Sequence, residues 1–234
     1  MSLKKYGRTE KMPSNKKLRR MVIECSRRLA HEGLNINSSG NFSIRTVSEE
    51  GEGFLITPSG MSYDCLKPKD ICFVRLSDGC SFGFREPSSE WRLHSEIYLA
   101  RPELRAIAHT HSPFAAVLSC RDESIPPFTY MTAVSRTESI PCAPYATFGS
   151  EALAEGCVKT LGESGRACLL SHHGAVACGA NAKEAEGLAR EIENLARMWA
   201  EIQKLGGCKL LDSAEMKKVL KKFENYGQRS RNNQ

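Results

Sequence analysis

His109-Thr110-His111 and His172-His173-Gly174 contain four of the six histidines in this chain of 234 residues. On a β-strand successive side chains alternate between faces, so His109 and His111 would share a face while Thr110 points away. Two convergent imidazoles supply two nitrogen ligands of a divalent metal, and Zn²⁺ is the usual choice where histidines are joined by a carboxylate. His172 and His173 lie in a tight connection between two apolar segments, where a histidine can meet the first pair as a third nitrogen ligand. Glu90, at the start of a predicted helix behind two serines, can offer the carboxylate. His94, one helical turn further on, competes with it for that role. Three histidines and one carboxylate close a tetrahedral zinc shell when substrate is absent and open a position if the carboxylate leaves.

A second group is made of small hydroxyl- and glycine-rich turns: Ser38-Ser39-Gly40-Asn41, Ser59-Gly60 and Pro87-Ser88-Ser89. Short side chains and exposed backbone N–H groups suit a phosphate, above all at a helix N-terminus. None of these turns matches the glycine-rich signatures of nucleotide binding, which points to a small phosphorylated metabolite.

The elements that must position these groups follow from hydrophobic periodicity. Helical spacing predicts a helix over 15–31 that stops at Gly33, and a serine-capped helix from 88 to 100 that is broken by Pro102. Further helices are expected after Pro113, from Ser150 to 161, from the Asn181/Glu184 capping box to Gly206, and over 213–223. Strands are expected at 42–46, 54–56, 71–76, 104–111, 167–170 and 175–178, and the proline-punctuated stretch 125–148 reads as β-like. Several strands follow one another directly, so the sheet is not expected to be purely parallel.

At this length, with 41% hydrophobic residues, the chain can bury a substantial core. No linker is evident, and 1–234 reads as one domain with a basic N-terminal arm (about 1–14) and a polar C-terminal tail (about 224–234). No apolar run approaches the ~20 residues that span a bilayer. The lysine- and arginine-rich start does not resemble a signal peptide, so a soluble cytoplasmic protein is expected. Ten scattered cysteines without a C-x-x-C pair read as reduced, mostly buried hydrophobes. The net charge of +6 gathers at the two ends. No zinc-finger spacing or RNA-recognition signature accompanies it, so neither nucleic acid nor membrane is expected as a partner.

Asn41-Phe-Ser-Ile-Arg45, Ile56-Thr-Pro-Ser-Gly-Met61, Pro87-Ser-Ser-Glu-Trp91, His109-Thr-His111, Ile140-Pro-Cys-Ala-Pro-Tyr-Ala-Thr-Phe-Gly149 and His172-His-Gly174 resemble, in order, the successive motifs of the class II aldolase/adducin family. The resemblance spans almost the whole chain. It implies a three-layer α-β-α domain with a mixed, mainly antiparallel central sheet, assembled as a homotetramer with sites at subunit interfaces. It also implies one Zn²⁺ per subunit, held by His109, His111, His173 and Glu90, with His172 and His94 outside the ligand set. Phosphate-binding positions would be Ser38, Asn41, Ser59, Gly60, Ser88 and Ser89. Tyr130 matches a tyrosine that reaches a neighbouring subunit's site, and Tyr226 matches a C-terminal tyrosine that closes over the substrate.

The activity so implied is reversible aldol cleavage of a ketose 1-phosphate, L-fuculose 1-phosphate or a similar one, to dihydroxyacetone phosphate and an aldehyde such as lactaldehyde. The zinc would stabilise the charge of an enediolate, with Glu90, Tyr130 and Tyr226 as the catalytic residues. The family also contains sugar-phosphate 4-epimerases, which usually carry an aspartate where Glu90 stands, as well as a methylthioribulose-phosphate dehydratase and non-catalytic adducin-like modules. Glu90 favours aldol cleavage, and the full ligand set speaks against a module. The loop Val134-Ser-Arg-Thr-Glu138 departs from the glycines found in the family's aldolases, which puts the expected aldehyde partner in question.

Overall fold

A computed structural model of the protein describes residues 15–223. The expected arm over 1–14 and the tail over 224–234, Tyr226 included, lie outside the described residues.

Eight strands form one sheet: β1 (Asn41–Ser48), β2 (Gly51–Ile56), β3 (Cys72–Arg75), β4 (Ser81–Phe82), β5 (Ala106–Thr110), β6 (Cys142–Ala143), β7 (Ala167–Leu170) and β8 (Gly174–Gly179). Their spatial order is β4-β3-β2-β1-β5-β8-β7-β6. Every neighbouring pair is antiparallel except β6 and β7, which run parallel. Among the described residues six α-helices accompany it: α1 (Lys16–His31), α2 (Trp91–Ala100), α3 (Pro113–Ser119), α4 (Glu151–Leu161), α5 (Ala182–Lys204) and α6 (Ser213–Phe223).

Strand alternation divides the core in two. Phe42, Leu55, Phe73, Ala106, Ala108, Ala175 and Ala177 pack with Val22 and Leu29 of α1, Ala115 of α3 and Ala185, Ala189 and Ile192 of α5. The intervening residues Phe54, Ile56, Val74, Ile107 and Val176 pack on the other face with Leu93 and Ile97 of α2 and Leu153 and Cys157 of α4. A sheet covered on both faces has strands that are apolar on both sides, which is why these runs are nearly continuous in the sequence. The exceptions matter: Asn41, Ser43 and His109 are buried. Ser43 and His109 alternate with the apolar residues of the first core. Buried polar groups need partners: Ser43 and Asn41 find them on α2, and His109 finds them in Ala175 O of β8 and in Glu90 just ahead of α2.

The expected helices all form. α1 closes at Gly33 with Leu34 N–H bonded to Leu29 O at 2.9 Å, and Ser150 and Asn181 cap α4 and α5. The serine cap expected for α2 does not. Glu90 occupies the cap position without a side-chain cap bond, and Ser88 Oγ accepts Glu90 N–H at 3.3 Å just ahead of the helix. That leaves the Glu90 carboxylate free to face the histidines. The stretch 125–148 is also not β-like as a whole: it holds a single Ile125–Ile140 bridge, a 3₁₀ turn at Tyr130–Ser135 and the short β6. Prolines 126, 127, 141 and 144 remove ladder donors. The hydroxyls of Thr132 and Ser135 bond to the carbonyls of Thr129 and Thr132, competing locally with any sheet.

All ten cysteines are free, and most are buried. Among the described residues no helix is long and apolar enough to cross a membrane.

Candidate metal centre

β5 carries His109 to its last turns of ladder, and His111 follows directly beyond the strand end. Both imidazoles still converge, with the two Nε2 atoms 2.9 Å apart. His109 donates from Nδ1 to Ala175 O of β8 at 3.0 Å, which turns its Nε2 toward the cluster.

His173 arrives from the β7–β8 connection. Ser119 pins that turn, its carbonyl accepting His172 N–H and its hydroxyl accepting His173 N–H, each at 3.2 Å. The next residue must be glycine, because a Cβ at Gly174 would sit 2.2 Å from Thr110 O. The same holds for Gly40, where a Cβ would fall 2.4 Å from His109 O. Close backbone approach at these two points brings the 38–41 loop and the histidine turn onto the end of β5.

The three rings stand nearly perpendicular to one another, with every pair of centroids 4.8 Å apart. Glu90 completes the group: Oε2 lies 3.0 Å from His109 Nε2, and Oε1 lies 3.3 Å from His173 Nε2. The four ligand atoms of Glu90, His109, His111 and His173 all fall within 4.8 Å of one another. Glu90 Oε1 is buried without a hydrogen-bond partner. Three imidazole nitrogens and an orphaned carboxylate oxygen gathered at one point are the donor set of a divalent cation, and these residues fit one.

The electrostatics agree. Burial pushes His111 and His173 down, to about 3 and about 4, helped by the neighbouring His109. Burial would lower His109 as well, but the Glu90 carboxylate outweighs it and raises this group. Glu90 itself is pushed up by burial, yet the facing imidazoles, His109 first, hold it well below the usual carboxylate range. The site thus presents a carboxylate and mainly neutral imidazoles.

A cavity of about 340 Å³ opens above the cluster. Its wall contains all six expected anion positions, Ser38, Asn41, Ser59, Gly60, Ser88 and Ser89. Asn37 and Ser38 hold φ of 53° and 61°, the left-handed region that is strained for residues with a side chain. Among the described residues no lysine or arginine lines the cavity; the groups that face it around these turns are hydroxyls and backbone. Asn41 is less available than its neighbours, because Nδ2 already donates to Glu90 Oε2 at 3.0 Å and Oδ1 faces His94.

Among the lining residues, the aromatics Tyr145 and Phe148 were not expected at the site. Tyr145 and Phe148 form an exposed aromatic wall, and His172 meets Tyr145 edge-on with centroids 6.0 Å apart. The first two lie in the segment Ile140–Gly149 already singled out, but nothing in their spacing aims them at the histidines. Tyr130, by contrast, does not line this cavity; it is 56% exposed and packs near Phe223, with centroids 6.5 Å apart.

Residues 20–200 match the family model described as Class II Aldolase and Adducin N-terminal domain. The chain is 41% identical over 210 residues to a 5-methylthioribulose-1-phosphate/5-deoxyribulose-1-phosphate aldolase of Rhodospirillum rubrum, covering 90% of this chain and 92% of that one. It is also 41% identical over 213 residues to an L-fuculose phosphate aldolase of Haemophilus influenzae, covering 91% and 96%. A solved L-fuculose 1-phosphate aldolase superposes with a TM-score of 0.84 at 31% identity, over 91% of this chain and 98% of that one.

Proposed function

The chain belongs to the class II aldolase and adducin family, and from that premise we propose that it catalyses zinc-dependent, reversible aldol cleavage of a ketose 1-phosphate to dihydroxyacetone phosphate and an aldehyde. One observation carries this reading: a cluster of three imidazoles and a carboxylate lies at the floor of a cavity walled by hydroxyls. The complete ligand set speaks against a binding module that keeps the fold and has lost the chemistry.

The bound cation supplies Lewis-acid stabilisation of the negative charge that develops on substrate oxygens. The chain's own residues do the rest. The hydroxyls of Ser38, Ser59, Ser88 and Ser89, with the turn at Gly60, hold the phosphate and so fix the reacting carbons through a remote group. Asn41 grips Glu90 Oε2, leaving Oε1 as the oxygen that moves a proton. In cleavage, Glu90 Oε1 would take the proton of the fourth-carbon hydroxyl as the bond between the third and fourth carbons breaks and its electron pair passes toward the carbonyl. The aldehyde departs and protonated Glu90 returns a proton to the third carbon. Synthesis is the reverse, with Glu90 as general base.

Tyr130 is exposed and does not line its own subunit's cavity, which supports a role in the site of a neighbouring copy within a homotetramer. Relatives named for L-fuculose phosphate and for 5-methylthioribulose and 5-deoxyribulose 1-phosphates stand at equal identity. We therefore assign the ketose 1-phosphate class, with these three as candidate substrates, and leave the aldehyde to the wall formed by Tyr145 and Phe148.

A coupled assay for dihydroxyacetone phosphate on all three substrates, with metal analysis, tests the proposal. Activity on at least one is expected, with zinc near one per subunit and a loss of about 10²- to 10⁴-fold in Glu90→Gln. Full activity in zinc-free protein, or activity on none of the three, would overturn it.

A further inference from the structure

Five buried side chains form a continuous hydrogen-bond chain from the α2 core to Glu90. Tyr98 OH lies 2.8 Å from Ser43 Oγ, and Ser43 Oγ lies 2.6 Å from His94 Nδ1. His94 Nε2 lies 2.5 Å from Asn41 Oδ1, and Asn41 Nδ2 lies 3.0 Å from Glu90 Oε2. His94 is 0% exposed, stacked near Phe54 with centroids 6.3 Å apart.

A single placement of hydrogens satisfies every member with a neutral imidazole. The Glu90 carboxylate can only accept, so Asn41 presents its NH₂ to Glu90 and its Oδ1 to His94. Asn41 Oδ1 can only accept, so His94 carries its hydrogen on Nε2. Its bare Nδ1 then accepts from Ser43, and Ser43 accepts from Tyr98. All four bonds therefore point one way, toward Glu90, and bonds so aligned polarise one another.

We propose that His94 is a positioning residue for Glu90, acting through Asn41: its Nε2–H selects the one orientation of the Asn41 amide that offers a donor to the carboxylate. An amide side chain is nearly symmetrical in shape, and a half-turn of Asn41 would set Oδ1 against Glu90 Oε2. The N–H of His94 makes that half-turn unfavourable at both ends. Glu90 Oε2 stays anchored, and Oε1 remains aimed at the point shared with His173. The second N–H of Asn41 is then held for a ligand in the cavity. This explains why a polar chain interrupts an otherwise apolar layer made of Phe54, Leu93 and Ile97. The role rests on the proposed cation-dependent reaction, but the hydrogen-bond chain can be tested without it.

The test has two parts. In full-length wild-type protein stripped of metal and labelled with ¹⁵N-histidine, NMR should show His94 with a protonated Nε2 and a bare Nδ1 from pH 5 to 8. A protonated Nδ1 would overturn the proposal, and this readout requires no variant. Zn²⁺ affinity, measured by competition with a chromophoric chelator, should fall about 10-fold in His94→Leu. In His94→Gln, whose amide donor reaches the same place, it should stay within about threefold of wild type. Unchanged affinity in a folded His94→Leu, or equal losses in both variants, would overturn it. Wild-type protein that binds no Zn²⁺ would instead defeat the proposed reaction, while the tautomer still decides the chain.

Discussion

Asn41 Nδ2 lies 3.0 Å from Glu90 Oε2, so a residue expected to bind phosphate also anchors the carboxylate expected to move the proton. Asn41→Asp keeps the shape and replaces the donor with a second carboxylate. A hydrogen bond to a charged group contributes about 1.5–3 kcal/mol, and losing it corresponds to roughly 10- to 100-fold. kcat/KM for the ketose 1-phosphate should fall by at least that factor in the coupled assay. A change confined to KM would mean that Asn41 serves the phosphate alone.

Metal should also stabilise the fold. A ligand that binds the native state alone adds about 2.7 kcal/mol when its free concentration is 100 times Kd. For a domain of this size that is a rise of about 5–10 °C in Tm. Differential scanning fluorimetry with Zn²⁺ added to chelator-treated protein should show the rise, and His111→Ala should abolish most of it, since its Nε2 is 2.9 Å from that of His109. Equal shifts in both proteins would place the metal elsewhere.

The sheet and its helices were largely legible, because burial on both faces writes long apolar runs that only strands or helices of the observed lengths can absorb. The His109/His111 pair was legible for the same reason: period-2 alternation puts both on one side. Between His172 and His173, or between Glu90 and His94, spacing alone does not choose. The choice is made by three-dimensional detail, with Ser119 pinning the histidine turn and Ser43 and Asn41 drawing His94 into the core. Tyr145 and Phe148 were hidden because a proline-broken segment has no period from which to read a direction. The same breaks turned the β-like reading of 125–148 into a 3₁₀ turn and a two-residue strand.

Acid should destabilise the metal-free protein through its buried histidines. Burial lowers His94 to about 3, against an ordinary value of 6.5. The unfolded chain therefore takes up a proton below about pH 6.5 that the folded chain refuses until about pH 3, so stability is lost as pH falls through that window. At pH 5 the cost from His94 is about 2 kcal/mol. His111 and His173 act in the same direction, while His109, which is raised, opposes them. Urea midpoints of chelator-treated protein should be lower at pH 5 than at pH 7, and His94→Gln should shrink the difference. A difference of the same size in His94→Gln would show that His94 does not contribute to it.

Tyr130 offers the sharpest test of composite sites, because it is 56% exposed and does not line the cavity of its own subunit. If it serves a neighbour's cavity, Tyr130→Phe and Glu90→Gln damage opposite sides of each shared site. Each homomeric variant should then be nearly inactive. Mixed after dissociation and reassembled, the two should regain activity, because some interfaces then join an intact Tyr130 to an intact Glu90. The recovered rate should depend on the mixing ratio and peak near equal amounts. Light scattering should give a tetramer for wild type and both variants, so that the gain reflects exchange of subunits and not repair of a broken assembly. Mixing that never exceeds the sum of the two separate rates would place Tyr130 outside the reaction or return it to its own subunit.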